Sequence, residues 1–284
     1  MSKMILVKTK DVFFIALITF TALLFVFPTS FVSQDLGSTV LTAATFLFGI
    51  IAGFYIVVTT TDYNSVKSIL AAETAAWISL YENMIVYDKA SSEKLASLID
   101  AYIRKNFDYE IIDSAKATRA EFDAVALLIR ELPKKNEAVW AHEKIREIMD
   151  RIVTARQQLT VLGSKALSIF QWLVLGILAS LVVLSLYGLR SGEFFFDLVA
   201  VAISSSIVLI LFLIRDLDLY IWNEKTFGFD IFENVLKSLG QLPYYPAESL
   251  LDGRVYPSEN EYRVGVALDF PRNLERKIEI RRIT

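Results

Sequence analysis

The sequence contains no cysteine and only one histidine among its 284 residues. The absence of cysteine excludes a disulfide framework, a thiol nucleophile and a thiolate metal site. The histidine, His142, falls among charged residues in a predicted helix, which favours a surface position over a role as a ligand or base. Carboxylates alone would then be left to hold a metal, so we expect no metal site and no cofactor.

Motifs that bind phosphates are also absent, with neither a P-loop nor a dinucleotide-binding glycine run. No nucleophile with an acid–base partner is visible, which predicts a protein that is not an enzyme. The 29 basic and 32 acidic residues nearly balance, and this argues against nucleic acid as a partner.

Apolar residues, in contrast, are abundant. They make up 54% of the chain, with a mean hydropathy of +0.46, whereas an average soluble domain is about 45–50% apolar. The excess lies in four segments of about 20 residues, the length of a membrane-spanning helix: Val12–Val32, Thr39–Thr60, Ala166–Tyr187 and Phe194–Ile214. We therefore predict four transmembrane helices in a lipid bilayer. A cleaved signal peptide is the alternative for the first segment, but a second span follows it almost at once.

The distribution of basic residues predicts the topology. Of the 29 Lys and Arg residues, only Arg190 falls in a connection on one side, and the other 28 precede the first span or follow the second and fourth spans. Basic residues favour the cytoplasmic side. We expect a multi-pass protein of the cell membrane with both termini in the cytoplasm. Asp197, the one acid within a span, is expected near the headgroups at its outer end.

The fold class predicted is an all-α integral membrane protein with four transmembrane helices, a helical cytoplasmic segment between the two hairpins, and a small C-terminal β-hairpin. The corresponding segments are residues 1–61, 62–165, 166–214 and 215–284. In the last segment we expect a helix over Ile231–Leu239 that ends at Gly240. The hairpin is expected to pair Tyr262–Leu268 with Lys277–Ile283.

The cytoplasmic segment shows apolar residues at three- and four-residue spacing. Its first helix is expected to continue span two without a break. Ser91 or Ser92 is expected to cap the second helix, and the third is expected to end at Pro133. Asn136 is expected to cap a fourth helix that carries Trp140 on its apolar face and runs into span three.

Span two has two unusual faces. Small or weakly polar residues share one face: Thr42, Thr45, Gly49, Ala52, Gly53, Ile56 and Thr60. Small residues let helices approach closely. An apolar stripe of Phe46, Ile50, Phe54 and Val57 lies about a quarter-turn away. In a ring of copies the small face would contact neighbours and the stripe would face the axis, where apolar constrictions gate channels. The alternative is that the stripe faces lipid or a neighbouring span.

Short motifs on this helix resemble a known family. The segment Gly53-Phe54-Tyr55-Ile56-Val57-Val58-Thr59-Thr60-Thr61 is similar to the second helix of bestrophin anion channels. The whole chain resembles a bestrophin-like family of prokaryotic membrane proteins in its span layout and in the stretch from Leu70 to Trp77. After span four, Thr226-Phe227-Gly228-Phe229-Asp230 keeps Phe-Gly and one acid of the bestrophin pattern but lacks its proline and acidic run. Asp62-Tyr63-Asn64 replaces the basic and paired-tryptophan motif.

The resemblance implies a homo-oligomer, a pentamer, that conducts small anions such as chloride. It places the pore neck at Phe46, Ile50 and Phe54, the stripe already noted. Thr60 and Asn64, with Thr59 and Thr61, would offer polar groups to an anion on the cytoplasmic side of the neck. Thr45, Gly49 and Gly53 would serve helix packing.

A second hypothesis is a non-conducting scaffold or sensor, in which four spans anchor a cytoplasmic helical bundle that binds partners. Its support is the apolar periodicity of the bundle and the lost family motifs. The oligomeric state separates the two hypotheses, because one four-helix chain has no room for a neck.

Overall fold

A computed structural model describes residues 9–109, 111–133, 139–163, 167–220, 228–269 and 273–283. The described helices are α1 Thr9–Val26, α2 Gln34–Tyr87, α3 Lys89–Asn106, α4 Ile111–Ala117, α5 Arg119–Arg130, α6 Val139–Gly163, α7 Ile169–Gly188, α8 Phe194–Asp218, α9 Asp230–Ser238 and α10 Ala247–Leu251; the strands are β1 Tyr244–Pro246, β2 Glu261–Asp269 and β3 Asn273–Arg282. The chain divides into two compact units. One comprises Met1–Tyr63 with Ala166–Leu219, and the other Asn64–Lys165 with Tyr220–Thr284.

The first unit contains the apolar helices. Three described helices, α2, α7 and α8, are long and apolar enough to span a bilayer. The remaining apolar helix is shorter, covering Asp11–Val26, about 24 Å at ~1.5 Å per residue against a hydrocarbon core of ~30 Å. Helix α1 ends at Val26, so the expectation that it continues to Val32 is wrong. Four spans therefore remain a prediction.

The core of this unit is built from small and large apolar side chains in alternation. The buried members come from α2, α7 and α8: Ala44, Phe48, Ala52, Leu175, Ala179, Val182, Leu186, Tyr187, Ala200, Ile207 and Ile214. Phe20, Leu23 and Leu24 of α1 pack against them. Tyr187 also donates a hydrogen bond from its hydroxyl to the carbonyl of Phe20, at 2.6 Å.

A buried ion pair closes one end of this unit. Arg190 donates from Nε and Nη2 to the two carboxylate oxygens of Asp197, at 2.8 and 3.1 Å. Its Nη1 donates to the carbonyl of Leu24 at 2.9 Å, an acceptor left over at the end of α1. Asp197 thus pairs with Arg190, the one basic residue in the short connections between predicted spans. Hydropathy alone did not predict this ion pair.

Helices α6 and α7 are separate. Helix α6 ends at Gly163, and α7 starts at Ile169 after a reciprocal cap between Ser168 and Gln171. The expectation that the fourth cytoplasmic helix runs into span three is therefore wrong, because a capping box marks a helix start.

The second unit begins with the rest of α2 and packs α3 to α6 around it. The large, fully buried side chains are Trp77, Leu80 and Met84 of α2, Leu95, Ile99, Tyr102 and Ile103 of α3, and Ile145 and Ile148 of α6. They lie at the three- and four-residue spacings expected of the apolar faces. Trp140, which was also expected on an apolar face, is exposed.

Two other expectations about these helices are wrong. Asp88, not Ser91 or Ser92, caps α3: its carboxylate accepts from the backbone N–H of Ser91 at 2.8 Å. His142 is buried against the ring of Tyr87 and is not a surface residue. Asn136, the predicted cap of the fourth cytoplasmic helix, lies outside the described residues.

The C-terminal part forms a three-stranded sheet in the order β1-β2-β3. The antiparallel pair β2–β3 confirms the predicted hairpin, and residues 270–272 of its turn lie outside the described residues. Strand β1 pairs in parallel with β2 and was not predicted, because its prolines suggested a loop. Helix α9 and the left-handed Gly240 that follows it (φ +69°) agree with the prediction.

Ion pairs join this sheet to α3 within the second unit. Arg263 of β2 donates to the carboxylate of Asp100 at 2.6 Å. Arg276 of β3 contacts Asp108 just after α3, at 2.5 Å. Gly265 is required where β2 passes under Tyr244: a Cβ there would lie 2.7 Å from Tyr244 Cζ and 2.9 Å from Arg276 Cδ.

Candidate pore-lining surface

Helix α2 is continuous over 54 residues. Within the first unit it buries one face, formed by Ala44, Phe48, Ala52 and Thr59. These positions follow the three- and four-residue spacing of one helix face. The residues between them form the surface of α2 that faces away from the rest of the chain.

The predicted neck residues lie on the exposed side of α2. The exposed fractions are 67% for Phe46, 55% for Ile50 and 62% for Phe54, and Val57 continues the line at 64%. At 100° per residue, this apolar stripe points away from the buried face of the helix. The chain itself therefore leaves the four bulky side chains uncovered.

The predicted packing residues flank the stripe. Thr45, Gly49 and Gly53 are exposed, and a Cβ added at either glycine would meet no atom of the described residues within 4 Å. This part of the small face does not pack inside the chain. Ala52 and the partly buried Ile56, assigned to the same face, instead contribute to the core of the first unit.

The polar residues that follow divide into two groups. Thr60 is partly buried, and Asn64 is exposed. Thr59 is buried, and its hydroxyl donates to the carbonyl of Tyr55 at 2.7 Å, so the expectation that it offers a hydroxyl to a passing ion is wrong. The Thr61 hydroxyl likewise donates to the carbonyl of Val57, at 2.8 Å.

The span itself carries no ionisable side chain between Thr39 and Thr60 other than the phenol of Tyr55. Among the residues that the structure describes, no three His, Asp or Glu side chains are grouped to hold a metal ion. Between Thr39 and Thr60 the exposed side of α2 is therefore an uncharged surface, with bulky apolar side chains along the stripe and no side chains at the two glycines. Of the residues after span four, Thr226 and Phe227 lie outside the described part of the chain.

Comparison with family models decides the relationship. The Bestrophin-like domain matches residues 12–219, which include all four apolar segments. The chain belongs to the bestrophin-like family.

Solved structures agree with the bestrophin-like assignment. Two mutant crystal structures of a bacterial bestrophin homologue from Klebsiella pneumoniae have TM-scores of 0.59 and 0.60 at 12% and 13% identity. The alignments cover 81% and 83% of this chain and 99% of the homologue. A third structure, described only as a membrane protein, gives 0.60 at 12% identity, over 81% of this chain and 99% of the other. At this identity the likeness shows the fold. No curated protein matches the sequence.

Proposed function

We propose that this bestrophin-like protein assembles as a ring, a pentamer, and conducts small anions such as chloride along an axis lined by α2. The exposed apolar stripe is the observation that carries the proposal. Four bulky side chains on one uncharged face, opposite the face that packs in the chain, suit a surface completed by other copies. Membership of the bestrophin-like family supports a channel-type membrane protein.

The neighbouring glycines explain how such a ring closes. Gly49 and Gly53 have open space around them, so the backbone of a second copy can approach closely there. Contact on this side turns the stripe, about a quarter-turn away, toward a common axis. Phe46, Ile50 and Phe54 then form successive apolar rings, which resist wetting and gate ion flow.

An ion on one side of the neck would meet polar side chains. We propose that Thr60 and Asn64 lie on the cytoplasmic side of the neck. The topology behind this assignment is the one expected from the basic residues, which favour the cytoplasmic side for both termini. An anion leaving the apolar rings would pass the exposed amide of Asn64, which can donate hydrogen bonds.

The test is conductance after reconstitution into planar bilayers. In chloride or nitrate, a triple variant Phe46→Ala, Ile50→Ala and Phe54→Ala should carry larger currents than the parent, because smaller side chains widen and hydrate the neck. The matched control changes three exposed residues of α1, Phe14→Ala, Ile18→Ala and Phe25→Ala, and should leave the current unchanged.

Two results would contradict the proposal. One is the absence of anion current from both the parent and the triple variant. The other is a monomer in detergent, because a single chain has no central axis; that result favours the scaffold hypothesis.

A further inference from the structure

A charged cavity lies in the second unit, well apart in sequence from the stripe of α2. Its volume is about 240 Å³. The walls come from the last turn of α3 with Arg104 and Lys105, the first turn of α5 with Glu121, and the sheet with Tyr244 and Arg276. It is large enough for more than one water, since a water occupies about 30 Å³ in the liquid.

Arg276 is held firmly in the wall of this cavity. Its side chain is 5% exposed, with Nε 2.5 Å from Asp108 and Nη1 2.7 Å from Glu248. Nη1 also donates to the carbonyl of Gly265 at 3.0 Å. Nη2 is buried and has no hydrogen-bond partner among the residues that the structure describes. The guanidinium is thus fixed through Nε and Nη1, while Nη2 donates no hydrogen bond to a described residue. Buried donors in proteins are nearly always paired.

Glu121 supplies the opposite charge. Its Oε2 is buried and also lacks a hydrogen-bond partner within the described part of the chain. Because neither unpaired atom is bonded to the other, an occupant has to satisfy a donor and an acceptor at separate positions in the same cavity. The charges of the cavity wall also balance. Three basic residues, Arg104, Lys105 and Arg276, face three acidic ones in the lining, Asp108, Glu121 and Glu275.

We propose that this cavity binds a small zwitterion of the α-amino acid class. Its carboxylate accepts from Arg276 Nη2, and its ammonium group donates to Glu121 Oε2. A simple anion leaves Glu121 unpaired beside a negative ligand, whereas a simple cation leaves the guanidinium unpaired. A molecule with both groups pairs both atoms, and charge-assisted hydrogen bonds of this kind are among the stronger polar contacts in proteins. The site is independent of ion conduction.

Calorimetric titration of the full chain in detergent tests the site. The probes are glycine and L-alanine, with acetate and ethylammonium as the two halves of the ligand. Glycine or alanine should bind roughly tenfold or more tightly than either half. Glu121→Gln, which keeps the shape of the side chain, should weaken zwitterion binding by a similar factor. Glu131→Gln, at the other end of α5, is the control and should leave binding unchanged.

Thermal unfolding without ligand shows whether each variant is folded. Lys105→Met is a second variant of the cavity wall, and it leaves Arg276 and its ion pairs unchanged. Two results would overturn the proposal. One is the absence of heat with both amino acids at millimolar concentration, which leaves water as the occupant. The other is acetate binding as tight as glycine binding and insensitive to Glu121→Gln.

Discussion

Glu73 is a carboxyl group buried in the helical core of the second unit. Tyr102 donates to its Oε1 at 2.7 Å, and Trp77 donates to the same atom at 3.2 Å. Arg156 in turn donates to the Tyr102 hydroxyl at 2.5 Å and to the carbonyl of Ala115 at 2.6 Å. Burial raises the pKa of Glu73 above its ordinary value of 4.5, against the hydrogen bonds and the charge of Arg156, which lower it.

The raised pKa predicts a pH-dependent stability. The folded state holds the Glu73 proton more tightly than the unfolded state, so this contribution is complete below the unfolded pKa and is lost as pH rises through the folded pKa. Glu73→Gln mimics the protonated form. The free energy of unfolding of the parent, relative to this variant, should therefore fall as pH rises from 4.5 toward neutrality. Urea unfolding followed by tryptophan fluorescence measures it.

Glu147 provides the contrast for that measurement. It is exposed, and hydrogen bonds from Lys144 and Arg151 lower its pKa. A group whose pKa is lowered by folding contributes stability above its unfolded pKa and loses that contribution as pH falls through the folded pKa. The stability of the parent relative to Glu147→Gln should therefore rise with pH up to and around 4.5, the ordinary value, and level off toward neutrality. If the stability of the parent relative to Glu73→Gln also rose with pH, the attraction of Arg156 for the Glu73 carboxylate would have to exceed the cost of burying its charge.

Single residues were also where sequence reasoning was weakest. His142 and Glu73 are polar and sit among charged or small neighbours in the sequence, yet both are buried. Their burial depends on partners far along the chain, Tyr87 for His142 and Tyr102 for Glu73. The cavity at Glu121 and Arg276 was not predicted for the same reason, because the two residues are 155 positions apart in the sequence. Only the folded chain brings such groups together.

At the scale of elements, periodicity predicted most helices, because apolar spacing reports which face is buried. It predicted the continuation of α2 and the β2–β3 hairpin, and the length of the apolar segments predicted the helices α7 and α8. It missed β1, whose pairing with β2 depends on contacts remote in sequence. The same periodicity found the stripe of α2, but a single chain does not show what covers an exposed face.

The open face of α2 leads to a prediction about Gly53. Replacing it with leucine should leave the fold of one chain intact, because among the described residues no atom lies within 4 Å of an added Cβ. Glycine is also about 0.8–1 kcal/mol less favourable than alanine in a helix interior, and leucine ranks close to alanine. The bulky side chain should block close approach of a second copy. We expect Gly53→Leu to lower the mass of the detergent-solubilised particle, measured by light scattering, with unchanged helical circular dichroism.

Gly176 of α7 is the matched control, since it too has no atom within 4 Å of an added Cβ. Gly176→Leu should keep the parental mass. Equal dissociation by both variants, or an unchanged mass for Gly53→Leu, would show that the glycine face of α2 does not form the interface.

For the whole molecule, the family match and the fold establish a bestrophin-like membrane protein, and conduction along α2 is the proposal built on them. The family match ends at residue 219. The sheet beyond it is joined to α3 by the buried pairs Arg263–Asp100 and Arg276–Asp108. The second unit is thus one packed body with its own cavity.

The most direct test of the pore uses the absence of native cysteine. A single Ile50→Cys substitution places the only thiol of each chain on the stripe, and Ile177→Cys places it on an equally exposed position of α7, 52% against 55%. A charged, water-soluble thiosulfonate reagent should abolish the chloride current of Ile50→Cys, with recovery on reduction, and spare Ile177→Cys. An Ile50→Cys current that persists under the reagent, or an equal loss at both positions, would contradict a pore lined by α2.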